Sequence, residues 1–346
     1  MIGKVNTMIK KLILSMLVLF TLVGCSSSKT EKKELKLLDE VYPTYLEESV
    51  GYILSYDRTG KVITGYSSAF VYKKNSSSTY VITSDSIVAN EYKYVFVVNE
   101  KRVNCEYIGS DDSLNIAVLS FDNDLYKASA IDKGASSNMK VGNSIHVSML
   151  GSFSSHLEDN MTLSKGIISS KSATYCTNNY LFSCNNYMIV DNVSVSSGQG
   201  APVLDYYGHV VGVVSYVNYK DNNNVLGYVS TIEQVDRAIN NVLKNNKYAR
   251  GDLHIEVKEY YMLPTSVKET ILIDDIKSSD VIVHSVTGYS QGVNVPVNSK
   301  IISLDGVIVK NKNHLVELMY LYDSGDSVVL KVQVSNDVYQ EYTIIL

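Results

Sequence analysis

Hydrolysis by a side-chain nucleophile needs a hydroxyl or thiol, an imidazole to take its proton, and an acid to orient that imidazole. The glycine-bearing segment Asp191-Asn-Val-Ser-Val-Ser-Ser-Gly-Gln199-Gly200-Ala201-Pro202-Val203-Leu204 could place such groups on a tight loop. It carries Gln199, and a carboxamide is not a nucleophile. Ser194, Ser196 and Ser197 offer hydroxyls nearby. The histidines are His146, His156, His209, His254, His284 and His314. His146 lies in a strand-like run and reads as a packed side chain. His209 follows Gly208 in a turn and reads as solvated. Cys105 lies in an alternating run and reads as buried rather than reactive. Cys176 and Cys184 flank Thr-Asn-Asn-Tyr-Leu-Phe-Ser; that spacing suits either a disulfide across a short hairpin or two buried thiols. No pair of His, Cys or carboxylate residues has metal-ligand spacing, so no metal or cofactor is expected.

The elements that must position these groups are mostly strands. Between residues 45 and 229, short β-rich runs alternate with Gly, Asn, Asp and Ser. Examples are 68–72, 80–83, 94–98, 117–121, 144–149, 165–169 and 210–217, a pattern that predicts an all-β barrel or sandwich. Residues 230–249 break it: Ile232, Val235, Ala238, Ile239, Val242 and Leu243 fall at helical spacing and predict an amphipathic linker helix. Residues 250–346 read as a compact α+β unit. Its strands are expected at 253–257, 281–285, 300–304, 328–334 and 341–346, with a helix over 312–322 and a tight turn at Asp305-Gly306.

Hydrophobic residues make up 45% of the chain, enough for packed cores, and the net charge of −5 points away from nucleic acid. Residues 1–24 carry Lys4, Lys10 and Lys11 before an apolar run, the layout of a secretory signal. That run of about 12 residues is too short to span a bilayer, which takes roughly 20. Leu22-Val23-Gly24-Cys25 is similar to a bacterial lipobox, which implies cleavage before Cys25, lipid on its thiol and an extracytoplasmic, membrane-anchored chain. Residues 25–44, rich in Ser, Lys and Glu, read as the tether.

Several motifs in order carry a resemblance to the HtrA/Deg family of serine proteases with PDZ domains. Gly65-Tyr-Ser-Ser-Ala-Phe-Val-Tyr72 is similar to the family's G-x-G-S-G-x-I-Y, and Val81-Ile-Thr-Ser-Asp-Ser86-Ile-Val88 to its V-[IV]-T-N-x-H-V-V. Gly109 to Leu119 is similar to G-x-D-x-x-x-D-L-A-V-L. The 191–204 segment is similar to the active-site stretch D-x-x-x-x-x-G-N-S-G-G-P-L, in register through Gly212. Arg250-Gly-Asp-Leu-His-Ile255 resembles the start of the PDZ domain. The resemblance implies a mainly β fold: a trypsin-like double six-stranded barrel over 45–229, the linker helix over 230–249, and an α+β PDZ domain over 250–346.

The same resemblance puts Ser86 at the histidine position, Asn115 at the aspartate position and Gln199 at the serine position. No catalysis is then expected there. The loop that would form the oxyanion hole, Ser197, Gly198, Gly200 and Ala201, is also altered; a Cβ at Ala201 is expected to strain a left-handed backbone site. Leu253, His254 and Ile255 take the peptide-binding position of the PDZ domain. The implied partners are polypeptides, with C-terminal peptides held by the PDZ groove, and trimers are common in the family. The expected function is a non-catalytic polypeptide-binding lipoprotein. Two alternatives stay open: an endopeptidase with a relocated site, and a structural surface lipoprotein with a closed PDZ groove.

Overall fold

The computed structural model describes residues 44–88, 92–151, 161–177, 181–193, 198–220, 224–245, 250–286 and 294–346. The signal, Cys25, most of the tether, His156, Ser194, Ser196 and Ser197 lie outside the described residues.

A short helix α1 (Thr44–Ser49) leads into the first barrel. Its strands are β1 (Val50–Tyr56), β2 (Ile63–Lys74), β3 (Ser78–Thr83), β4 (Lys93–Val98), β5 (Lys101–Asp111) and β6 (Ile116–Asp122), closed in the order β1-β2-β3-β6-β5-β4. The second barrel has β7 (Ser144–Leu150), β8 (Met161–Cys176), β9 (Cys184–Asp191), β10 (Pro202–Leu204), β11 (Val210–Lys220) and β12 (Asn224–Thr231), closed as β10-β11-β12-β9-β8-β7. All seven strand runs read from the barrel sequence fall inside these strands.

The two-residue period divides each strand between two layers. Ile53, Ala69, Val71 and Phe96 fill the first barrel, while Phe70, Tyr72, Ile82 and Val118 turn outward into a core shared with Tyr187, Leu204 and Val213 of the second. Part of the chain's tyrosine content is used here. Tyr175, Tyr187, Tyr216 and Tyr228 meet ring to ring at 5.1–6.3 Å, and the Tyr187 hydroxyl donates to the Ser113 carbonyl across the barrels at 3.0 Å.

Helix α2 (Ile232–Asn245) starts one strand end later than expected, because β12 runs to Thr231. Thr231 and Gln234 form a capping box: the Thr231 amide donates to Gln234 Oε1 at 2.9 Å, and the Gln234 amide donates to Thr231 Oγ1. The helix is more than a linker. Ile232, Val235, Ala238, Ile239 and Val242 are buried in the shared inter-barrel core.

The C-terminal domain is a sheet with helices on it, consistent with a PDZ domain. Its elements are β13 (Ile255–Glu259), α3 (Thr265–Lys268), β14 (Val281–Val286), β15 (Lys300–Leu304), β16 (Val307–Ile308), α4 (Lys312–Met319), β17 (Ser327–Ser335) and β18 (Val338–Ile345). The sheet runs β13-β14-β15-β17-β18, with β16 paired to β15, so β13 is an edge strand. Asp305 (φ 46°) and Gly306 (φ 77°) make the tight turn between β15 and β16, both in the left-handed region that a two-residue hairpin turn requires. Helix α4 stops at Met319, three residues short of the expected end.

Candidate functional site: a neutral cluster in the inter-barrel cleft

The fold brings positions 86, 115 and 199 together. Ser84 follows β3 and caps the 3₁₀ turn Asp85–Ile87, its hydroxyl accepting from the Ser86 amide at 3.3 Å. Asn115 sits in the turn before β6 with φ 55°, a left-handed conformation that asparagine tolerates better than most residues. Pairing of β3 with β6 sets these two turns side by side, and the Asp85 amide donates to the Asn115 carbonyl. Gln199 approaches from the loop before β10, where the Ser67 hydroxyl donates to its carbonyl at 2.6 Å.

The side chains close into one hydrogen-bonded cluster. Ser86 Oγ donates to Gln199 Oε1 at 3.1 Å, and the Ser84 and Ser86 hydroxyls lie 2.7 Å apart. Asn115 Oδ1 accepts from the Ser86 amide at 2.9 Å and from Ser84 Oγ at 3.0 Å. Asn115 Nδ2 donates to the Ser215 carbonyl at 2.6 Å. Behind it, the Ser215 and Ser230 hydroxyls pair at 2.6 Å. Two hydroxyls and two carboxamides therefore meet where a nucleophile, base and acid would have to meet. None of the four ionises near neutral pH, so none can take up a proton from a hydroxyl.

Sequence reasoning did not single out Ser67, Ser84, Ser215 or Ser230. Serine is common in this chain and no spacing marks these four; only the strand pairing gives them a role.

The loop carrying Gln199 corrects one expectation. Ala201 is fully buried without a left-handed backbone; its amide donates to the Gly198 carbonyl at 3.1 Å and its carbonyl accepts from the Val214 amide at 3.0 Å. The left-handed residue is Gly200, at φ 78°. A Cβ on Gly200 would lie 2.4 Å from the Ser68 carbonyl oxygen and 2.7 Å from the Ser84 amide nitrogen, both backbone atoms of the other barrel. Gly200→Ala is expected to cost about 2–5 kcal/mol, combining left-handed strain with overpacking. Gly142→Ala is the control: φ is 85° but nothing lies within 4 Å of the added Cβ. Urea unfolding should separate the two; equal losses would mean that the close approach at Gly200 is unimportant.

His146 is buried on β7. His209 is not simply solvated: Asp205 accepts from its amide at 2.9 Å, and Asp205 Oδ2 lies 3.2 Å from its Nδ1. Burial pushes the Cys105 thiol up to about 12, so thiolate is scarce near neutral pH. Cys176 and Cys184, register partners on β8 and β9, are joined by a disulfide. In the C-terminal domain, Leu253 and Ile255 are buried, while His254 (φ 54°) is half exposed and pairs with Asp252 at 3.1 Å. Burial raises the Asp252 carboxyl, opposed by hydrogen bonding and charge from His254. Among the described residues, no group of three or more His, Cys, Asp or Glu side chains could hold a metal ion.

Two closed six-stranded barrels with these three positions in the cleft between them define a trypsin-like peptidase domain, and residues 67–213 match the trypsin-like peptidase domain family. The chain is similar to a serine protease Do-like HtrA of Lactobacillus helveticus, 25% identical over 291 residues, covering 80% of this chain and 68% of that protein. It is also similar to a Do-like HtrB of Bacillus subtilis (23%; 77% and 58%) and to a probable periplasmic DegP-like endoprotease of Bartonella henselae (22%; 74% and 49%). The chain thus spans from about half to about two thirds of the length of these relatives. Among solved structures, the HtrA-type protease AlgW with tripeptide superposes with TM-score 0.65 at 17% identity, covering 87% of this chain and 96% of that one. The serine endoprotease from Yersinia pestis gives 0.61 at 13% identity, covering 88% and 97%. These likenesses support the resemblance to the HtrA/Deg family that the sequence motifs carry.

Proposed function

We propose that this chain is a non-catalytic HtrA-like lipoprotein that binds polypeptide at the outer face of a bacterial membrane, through a C-terminal PDZ domain, and is anchored there by lipid on Cys25. The observation that carries the non-catalytic reading is the cluster of Ser84, Ser86, Asn115 and Gln199, which ties all three catalytic positions into mutual hydrogen bonds without an imidazole or a carboxylate. In subtilisin, loss of the nucleophile or the base alone costs about 10⁶ in kcat, and here every role is vacant. The extracytoplasmic location follows the lipobox-like Leu22-Val23-Gly24-Cys25 and agrees with relatives named as periplasmic. Peptide in the structure of AlgW supports polypeptide as the class of partner. Binding without turnover fits a scaffold, sensor or chaperone-like role, in a homo-oligomer such as a trimer.

The purified chain is expected neither to react with a fluorophosphonate probe nor to cleave casein over a day at 37 °C, while an active HtrA protease assayed beside it does both. Labelling that maps to any serine of residues 45–229, or casein fragments abolished by mutating that serine, would favour a relocated active site.

A further inference from the structure

We propose that the tip of the β8–β9 hairpin, Leu181–Ser183, is a built-in occupant of the groove between β13 and α4, so that a polypeptide enters that groove only by displacing this chain's own loop. The inference rests on the polypeptide-binding reading and adds what regulates it.

An edge strand facing a helix is where an extended polypeptide can add to a sheet and drop alternate side chains into an apolar trough. Here β13 is that strand and α4 that helix. Leu181 and Cys184, both from the second barrel, are buried in the same apolar cluster as Leu253, Ile255 and Val257 beside or on β13 and Leu315, Val316 and Met319 on α4. Every other buried member of that cluster belongs to the C-terminal domain. Leu181, at 3% exposure, fills the position that an aliphatic ligand side chain would take.

The Leu181–Ser183 turn is also restrained. The Cys176–Cys184 disulfide closes its base, and the Thr177 amide donates to the Ser183 carbonyl at 3.3 Å. The strands below grip the helix: Asn186 Nδ2 donates to the Asn313 carbonyl at 2.9 Å and to Glu317 Oε1 at 3.2 Å, and Thr174 Oγ1 bonds Asn313 Oδ1. A closed loop is held near its seat at high effective concentration, so a competing ligand must either bind tightly or arrive when the hairpin has lifted. The ligand class follows from the seat: an extended polypeptide with an aliphatic side chain where Leu181 lies.

The test compares the full chain with Leu181→Asp, which disfavours the tip in an apolar trough. Hydrogen exchange is followed at 255–259 and 312–319, with 328–335 as the reference strand. In parallel, each protein is titrated with a fluorescein-labelled cyclic nonapeptide copying residues 176–184. Leu181→Asp should raise exchange at both groove walls by about tenfold without changing the reference strand. It should also bind the nonapeptide about tenfold more tightly than the unaltered chain does. Unchanged exchange at the walls overturns the inference, whatever the peptide does. Faster exchange at the walls with no capture by either protein upholds the occupant and overturns polypeptide binding at this groove. If the reference strand also opens, Leu181→Ala repeats the comparison without a buried charge, and its wall exchange decides by the same criterion.

Discussion

Replacing Arg250 by methionine is expected to destabilise the chain by about 3–5 kcal/mol, the cost of removing one partner from a buried charge pair. Arg250 stands where the C-terminal domain begins. Its Nη2 lies 3.6 Å from Asp111 Oδ2 on the first barrel, its Nη1 bonds Asn185 Oδ1 on the second, and its guanidinium covers the Tyr320 ring at 4.5 Å. Asp111 is 2% exposed; its other oxygen accepts from Ser113 Oγ at 2.5 Å and from the Leu114 amide at 3.1 Å. Methionine keeps most of the stem's packing and removes only the charge and its bonds. The mutant therefore leaves Asp111 as a buried carboxylate without its cation. Adding Asp111→Asn should recover half of the loss or more, a coupling that a double-mutant cycle in urea reads directly. A loss below about 1 kcal/mol, or strictly additive losses, would reduce Arg250 to a surface contact.

The second large effect is expected at position 115. Asn115→Asp should cost about 3 kcal/mol at neutral pH, because it buries a charge and turns a donor into an acceptor. Asn115 is 5% exposed, and the amide nitrogen that would be lost now donates to the Ser215 carbonyl at 2.6 Å. A carboxyl held there is expected to have its folded-state pKa raised above the unfolded one, since burial and the facing carbonyl oppose its charge more than the Ser86 amide and Ser84 hydroxyl on Oδ1 favour it. The penalty is then complete at neutral pH, shrinks as pH falls through the raised folded value, and vanishes below the unfolded one. Adding Ser86→His should return a good share of the stability, because an imidazole N–H at position 86 can donate to the new carboxylate. With Gln199→Ser as well, the chain should gain fluorophosphonate labelling that neither of the simpler variants shows. If Ser86→His brings no recovery to Asn115→Asp, the three positions are near one another without being aligned for a proton relay.

The barrels are legible in the sequence because their strands alternate and their turns are polar. The cleft is legible because Pro202, Gly208 and Gly212 hold the register around Gln199. Side-chain partnerships are not. Asp111 and Arg250 are 139 positions apart, and nothing near either signals the other. Residue type alone does not tell which of Gly198, Gly200 and Ala201 carries the left-handed backbone, so the strain expected at Ala201 falls instead on Gly200. His209 does carry a signal: Asp205 four residues earlier, with Gly208 between, is the makings of an Asp-capped turn. Nothing in the run Tyr180-Leu181-Phe182 marks Leu181 out, and its burial depends on a domain that begins about 70 residues later.

The cleft's neutrality has a use in locating binding. Ser84, Ser86, Asn115 and Gln199 neither gain nor lose a proton between mild acid and mild alkali. A partner resting on them would be held equally at mild acid and mild alkali. At the start of the C-terminal domain, burial raises the Asp252 carboxyl, so it takes up a proton at a higher pH than an exposed carboxylate does. The pH profile of an affinity thus acts as an address: a flat one points to the space between the barrels, and one that changes on acidification to the sheet edge beyond them.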